Sequence, residues 1–127
     1  MSFEWTVQTQ IFSALDGVVS CPVYDTAPQD SSFPYITIGE AITQENGTQT
    51  TINQHVNYTI NVWSRKDSSK ETKVLQGEVF DALHLTKFSA SGYSFTENIC
   101  LSSQDFKDTD AVTRHGVQEF KLTIERV

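Results

Sequence analysis

The residues of this chain that most readily bind metals or act as nucleophiles are three histidines and two cysteines. His55, His84 and His115 are far apart in sequence, and no His-x-x-x-His or Cys-x-x-Cys metal-site spacing occurs. Neither Cys21 nor Cys100 stands in a nucleophile motif, and both Gly-x-Ser-x-Gly and glycine-rich phosphate loops are absent. We therefore predict no catalytic residue, cofactor or metal site. Reduced, mostly buried thiols are the favoured interpretation of the cysteines, and a disulfide between them stays open.

An acidic cluster near the C-terminus, formed by Asp105, Asp108 and Asp110, carries ligands that suit a hard cation. It lacks the ligand spacing of an EF-hand loop and the glutamate that closes such a loop. A solvated turn before the last strand therefore explains these residues better. Arg114 and His115 follow the cluster and are expected to pair with its carboxylates, although exposed pairs of this kind contribute little stability.

The composition is that of one small globular domain covering residues 1–127. The chain is 38% hydrophobic and has a formal net charge of −7. Tight binding of duplex nucleic acid needs clustered cations, and only Arg65 and Lys66 are adjacent, so the charge argues against that ligand. The N-terminus lacks the basic and apolar regions of a signal peptide, and no apolar run approaches the ~20 residues of a membrane span. We expect no membrane partner.

The first segment, about Ser2 to Asp16, has the apolar spacing of an amphipathic helix. Ser2 is the expected N-cap, and Asp16-Gly17 is the expected stop, because glycine tolerates the left-handed conformation at a helix end. The predicted core stripe consists of Phe3, Val7, Ile11, Ala14, Leu15 and Val18.

Two aromatic residues of this helix, Trp5 and Phe12, do not fall on the core stripe. They share a second face about 140–160° from Val7. Either the helix is covered on both sides within its own domain, or this second face meets another subunit. The sequence leaves both hypotheses open, since a small domain rarely covers both faces of a terminal helix.

Three strands are predicted before the second helix. Val18 to Asp25 contains Pro22 and is expected at a sheet edge. Tyr35 to Ile42 and His55 to Ser64 follow, and they are expected to form a hairpin whose polar tip spans Thr43 to Gln54, with a turn at Asn46-Gly47. In the first of these two strands a bulge is expected near Gly39, and the predicted inward residues are Ile36, Ile38 and Ile42.

The second helix opens with the pattern of a capping box, Ser68 and Glu71. Its predicted core stripe is Leu75, Val79, Ala82, Leu83 and Thr86. Phe80 falls on the polar side, where partial exposure is the simpler explanation and an intermolecular contact the alternative. Trp63, before this helix, is expected to cover the edge of the core or pack under the helix, with an interface anchor as the alternative.

Two further strands are predicted, Tyr93 to Leu101 and Arg114 to Glu125, separated by an acidic loop over residues 104–113. Their predicted inward residues are Phe95, Ile99 and Leu101, then Phe120, Leu122 and Ile124. The predicted fold class is α+β, with two helices packed on a largely antiparallel sheet in the order α-β-β-β-α-β-β.

Several segments together resemble the phage tail-completion or tail-terminator family, which is found in tailed phages, prophages and gene-transfer agents. The matching segments keep the family's order and spacing over nearly the whole chain, although the glycine common after NVWSR is replaced here by KDSSKE. The matching segments are IFSALDG, PVYDTAP followed by PYITIGE, VNYTINVWSR, KVLQGEVFDALH and TRHGVQEFKLTIE.

This resemblance implies a structural protein without enzymatic activity, present in the host cytoplasm during assembly and then in the virion neck. Such proteins form a ring, typically of six subunits, that caps the tail tube protein, docks to a head-side connector or stopper and lets DNA pass unbound. The resemblance gives weight to candidate interface residues on the two helices and at the hairpin tip: Trp5, Phe12, Phe80, Asn46, Gly47 and Thr48.

Two other functions are kept as alternatives. A different neck component, such as a head-completion or stopper protein, would bind the capsid portal rather than the tail tube. A small ligand-binding or hydrolytic domain would need a deep pocket lined by convergent polar groups, and the sequence contains no motif that supports one.

Overall fold

The computed structural model describes residues 3–45, 47 and 53–126 and confirms the predicted α+β fold class and element order. A five-stranded sheet has the strand order β1-β2-β3-β5-β4, with β1 and β2 parallel and all other neighbours antiparallel. The elements are α1 (Phe3–Leu15), β1 (Val23–Tyr24), β2 (Tyr35–Glu45), β3 (Asn53–Ser64), α2 (Lys70–Leu83), β4 (Tyr93–Lys107) and β5 (Arg114–Arg126).

The core lies between the two helices and one face of the sheet. Strict alternation along β3 buries every second side chain, and at its centre the Tyr58 ring stacks on Phe120 at a centroid distance of 5.3 Å. Burying each large aliphatic side chain stabilises the fold by roughly 1.5–3 kcal/mol. The fully buried strand residues are Ile36, Val56, Tyr58, Ile60, Val62, Phe120, Leu122 and Ile124.

The first helix follows its prediction except at its end. Val7, Ile11 and Leu15 are buried, but Val18 is 64% exposed. The helix ends at Leu15, and Gly17 with φ +77° turns the chain, so that Val19 reaches the core instead. The predicted N-cap, Ser2, lies outside the described residues. The predicted edge strand is present as the two residues of β1.

A bulge in β2 confirms the irregularity predicted near Gly39 and reverses one predicted side chain. The pairing with β3 shifts between Ile38 and Ala41, so Ala41 lies opposite the inward Tyr58. Ile42 consequently points to the other face and is 64% exposed, against the prediction that it faces inward.

The β2–β3 hairpin is confirmed, but its tip is shorter than predicted. Strand pairing continues to Glu45 and Gln54, so residues 43–45, 53 and 54 of the predicted tip belong to the sheet. Gly47 donates its backbone N–H to the Glu45 carboxylate at 3.1 Å. Asn46 and Thr48, the other two tip candidates, lie outside the described residues.

The predicted capping box of α2 is wrong. Ser69 is the N-cap residue and makes no side-chain cap. The Glu71 carboxylate instead accepts a hydrogen bond from the Ser64 hydroxyl at 2.6 Å, tying the helix start to the end of β3. The core stripe of the helix is confirmed at Leu75, Val79 and Leu83, which are all buried.

The fourth strand differs most from its prediction. It continues to Lys107, so the acidic loop is only about 108–113 rather than 104–113. Bulges interrupt its pairing between Phe95 and Glu97 and between Cys100 and Ser102. These shifts leave Leu101 54% exposed, place Ile99 on the face away from the helices and bury Asn98. The Asn98 side chain accepts a hydrogen bond from the Tyr58 hydroxyl at 2.8 Å.

Candidate functional site

The histidines take structural positions in separate parts of the sheet and helix. His55 shares a hydrogen bond with Thr123 at 3.0 Å, and His84 Nδ1 accepts the Cys100 backbone N–H at 3.1 Å. His115 donates to Asn61 at 2.8 Å rather than pairing with the acidic cluster as predicted. Within residues 3–45, 47 and 53–126 no three His, Cys, Asp or Glu residues are grouped to hold a metal ion.

Both cysteines are free thiols with weak nucleophilic character. Desolvation raises the pKa of Cys21 to about 11, and the nearby Glu78 and Glu71 carboxylates act in the same direction. Burial likewise raises the pKa of Cys100. Since the thiolate is the reactive form, neither residue is poised for nucleophilic chemistry at neutral pH.

The acidic cluster is used by the turn before β5. The Asp110 carboxylate accepts hydrogen bonds from the Thr113 backbone and hydroxyl and from the Val112 backbone, which lower the pKa of Asp110 to about 2. Asp105 pairs with Arg114 at 3.6 Å, as predicted for that arginine. These carboxylates therefore have partners that explain their positions without a cation.

The outer side of α1 exposes the two aromatic residues that the sequence singled out. Trp5 is 55% and Phe12 39% exposed. They flank a groove of about 370 Å³ that runs between the helix and the sheet edge and is also lined by Asp25 and Ile38. Helical spacing separated this face from the buried stripe of α1, but the sequence left open whether the face is covered within the domain, and the structure leaves both rings partly exposed.

The solvent side of α2 carries a second exposed apolar surface. Phe80 is 40% exposed, and its ring stacks on His84 at a centroid distance of 4.4 Å. Val74 on the same helix is 51% exposed. Gly77 lies between them in sequence. The predicted site residues are therefore divided among surfaces: Trp5 and Phe12 on α1, Phe80 on α2 and Gly47 at the hairpin tip.

A groove of about 630 Å³ lies between the start of α2 and the segment that follows α1. Val74, Leu75 and Pro34 give it an apolar floor, and both positive and negative side chains line its rim. The Glu78 carboxylate accepts hydrogen bonds from the Ser20 backbone at 2.7 Å and hydroxyl at 3.0 Å, which fixes one wall.

An aromatic cluster on the sheet face away from the helices was not predicted. Trp63 lies there, neither at the core edge nor under α2, and stacks on His115 at a centroid distance of 3.8 Å. The Trp63 indole N–H donates to Thr37 at 3.1 Å, and Tyr35 packs alongside. Arg65 covers the Phe33 ring at 4.4 Å. The alternation of β3 indicated the direction of Trp63, but only the strand order brings these residues together.

Among the described residues no helix is long and apolar enough to cross a membrane. The fold is that of a small α+β protein whose two helices each expose apolar side chains. The family model described as tail completion protein gp17 matches residues 10–125, and this chain belongs to that family.

Two individual proteins illustrate the relationship. The tail completion protein gp17 of Bacillus phage SPP1 is 24% identical over 102 residues, which cover 80% of this chain and 75% of the phage protein. A chain from the virion of a native gene transfer agent (GTA) particle superimposes with a TM-score of 0.87 at 18% identity, covering 98% of this chain and 99% of that one. The second similarity shows that the fold is shared.

Proposed function

We propose that this protein caps the phage tail tube as a ring of about six subunits and supplies the surface that joins the tail to the head-side connector. The observation that carries the proposal is the family match, which runs from within α1 almost to the end of β5. Membership in a tail-completion family makes the protein a structural component of phage tails. Ring formation and head joining are the finer parts of the proposal.

The distribution of exposed apolar side chains supports a ring. A cyclic assembly of identical subunits needs two different patches on each subunit, one for each neighbour. Trp5 and Phe12 on α1 and Phe80 on α2 provide exposed aromatic surface on two different elements. The hairpin tip with Gly47 offers a third surface, which we assign to a neighbouring subunit or the tail tube.

The charge of the chain supports passage of DNA without binding. Each subunit carries −7, and its nine basic residues are scattered along the sequence. A ring of such subunits repels a phosphate backbone and does not hold it during transit. We place the protein in the host cytoplasm during assembly and in the neck of the finished virion.

Mass in solution and binding to tail tubes test this proposal together. Light scattering over a concentration series, followed by negative-stain imaging, is expected to show a closed ring near six subunits. If the free chain stays monomeric, purified tail tubes are the template, and the chain is then expected to bind at their ends. Binding to capsid portals but not to tail tubes would contradict the proposal and favour a head-side neck protein.

A further inference from the structure

The solvent face of α2 contains a glycine that its own subunit does not explain. Gly77 lies in the middle of the helix, and a Cβ built there would meet nothing within 4 Å in the described part of the chain. Glycine weakens a helix interior relative to alanine, because it loses more backbone entropy and contributes no side chain. A partner that approaches the helix closely at this point would account for the missing side chain.

Exposed apolar residues flank Gly77 one turn away on either side. Val74 and Phe80, with Gly77 between them, form a surface that we call the α2 stripe. Val74 is 51% and Phe80 40% exposed, and stacking on His84 holds the Phe80 ring in place. The stripe thus has two apolar side chains separated by a gap, at which another helix can approach closely.

The outer side of α1 has the same relief. Trp5, Thr9 and Phe12 lie at the spacing of one helical face, and we call them the α1 stripe. The Thr9 hydroxyl donates to the Thr6 carbonyl at 2.8 Å, so its hydrogen-bonding need is met within the helix. With the small Thr9 opposite Gly77, the two helices can approach closely at this point, and the rings on either side of Thr9 then contact Val74 and Phe80.

The helix dipoles favour an antiparallel match of the two stripes, since each helix end then lies near the oppositely charged end of its partner. The segment Phe3–Leu15 carries Glu4 as its only charged residue, and Asp16 follows it directly. The first half of α2 presents Lys70 and Lys73, which are exposed and have no carboxylate within ion-pair distance among the described residues. An antiparallel arrangement brings Asp16 to these lysines, Phe12 to Val74, Thr9 to Gly77 and Trp5 to Phe80.

We propose that the α1 stripe of one copy packs antiparallel on the α2 stripe of a second copy. The inference rests on the proposed ring and names the contact between its neighbouring subunits. Because the two stripes differ, each copy uses one to bind its neighbour on one side and the other to bind its neighbour on the other side. The occupant of the α2 stripe is therefore a second copy of this chain.

Two variants, each blocking one stripe, test the contact. Gly77→Leu fills the gap in the α2 stripe, and Trp5→Ala/Phe12→Ala removes the rings of the α1 stripe. Each change is expected to weaken self-association by about 30-fold or more, as for central aromatic anchors of interfaces.

Gly77→Ala is the matched control. Both Gly77 variants are expected to unfold at a higher temperature than wild type, because alanine and leucine favour helix. If Gly77→Leu has this higher unfolding temperature and still fails to associate, the failure is not caused by unfolding.

Mixing the two blocked variants is the decisive measurement. Each variant alone is expected to be monomeric. In the mixture, the intact α1 stripe of Gly77→Leu can bind the intact α2 stripe of Trp5→Ala/Phe12→Ala, which gives a 1:1 dimer. This dimer cannot grow, because both of its remaining stripes are blocked. Analytical ultracentrifugation distinguishes the monomers, the dimer and the wild-type assembly.

Three outcomes would overturn this contact. If wild type forms rings and Gly77→Leu forms them equally well, subunits meet elsewhere, and the proposed ring stands without this interface. A mixture that stays monomeric would likewise exclude the pairing of the two stripes. If wild type stays monomeric up to millimolar concentration, the ring forms only on the tail tube, and binding of Gly77→Leu to tube ends as tightly as wild type would then exclude the contact.

Discussion

At the scale of single residues, two glycines lie where an added side chain would collide with neighbouring groups. A Cβ on Gly39 would lie 2.7 Å from the Asn61 side-chain nitrogen, and one on Gly116 would lie 2.6 Å from that of Gln76 and 2.8 Å from the Thr72 methyl. The first glycine lets β2 bulge beside β3, and the second lets α2 approach β5. Both occur in segments that carry the family resemblance, PYITIGE and TRHGV. A bulge was predicted near Gly39, whereas no pattern in the sequence singled out Gly116.

His115 is the residue whose protonation has the clearest consequence for stability. Its ring lies between Trp63 at 3.8 Å and Phe106 at 5.2 Å, measured between ring centroids. Desolvation lowers the pKa of His115 below its usual value near 6.5, while the Asp108 charge acts in the opposite direction. Folding therefore disfavours the charged imidazole.

The sign of the resulting pH dependence follows from linkage. Below the unfolded pKa the unfolded chain binds a proton that the folded chain does not, so stability falls as pH decreases toward the folded pKa. We expect wild type to lose more stability between pH 7 and pH 5 than His115→Gln, which has no imidazole at this position. Urea unfolding of both proteins at the two pH values measures the difference.

The imidazole itself can be titrated as a control for this prediction. The proton signals of the His115 ring are expected to titrate below pH 6.5 in the folded protein. A pKa at or above that value, or equal pH dependence of wild type and His115→Gln, would show that burial at this site does not penalise the charged ring.

At the scale of elements, prediction succeeded where the pattern was local and regular. The alternation of β3 correctly separated its buried side chains from the others, and helical spacing located the core stripes of both helices. In β4 the two bulges shift the register, so Leu101 and Ile99 leave the predicted face. The Ser68–Glu71 capping box failed for a different reason, since Ser64 competes for Glu71 through a contact that only the folded chain provides.

The β2–β3 hairpin gives a prediction that separates folding from assembly. Replacing residues 46–52 with one glycine places this glycine and Asn53 between Glu45 and Gln54, the last pair of the hairpin, and leaves β3 paired with β5 from Gln54 onward. A two-residue connection that begins with glycine suits a type II′ hairpin turn. We therefore expect the thermal midpoint to change by only a few degrees, about the effect of a 1 kcal/mol change. Binding to tail tubes is expected to fall.

A second replacement of the same segment serves as the control for chain length. Residues 46–52 exchanged for seven glycine and serine residues preserve the length of the tip but remove its side chains. If both replacements bind tail tubes as wild type does, the tip is not a contact surface, and Gly47 leaves the set of interface candidates.

At the scale of the whole molecule, the sequence predicted the surfaces that depend on one element and missed the one that depends on several. The outer faces of α1 and α2 follow from periodicity within each helix. The cluster of Trp63, His115, Tyr35 and Phe33 forms because β2, β3 and β5 are neighbours in the sheet. Strand order is a property of the whole chain, and side-chain alternation within a strand does not specify it.

The net charge sets how self-association depends on salt. Identical subunits that each carry −7 repel one another, and the Debye length falls from ~30 Å at 0.01 M to ~8 Å at 0.15 M ionic strength. The Asp16–lysine pairs of the proposed contact are exposed and contribute little, so their screening does not cancel the gain. We expect the mass measured by light scattering at fixed protein concentration to rise with salt over this range. Asp30→Asn/Glu119→Gln lowers the repulsion and should reach the same mass at lower salt. A steep fall in mass with added salt would instead show that attraction between unlike charges holds the subunits together.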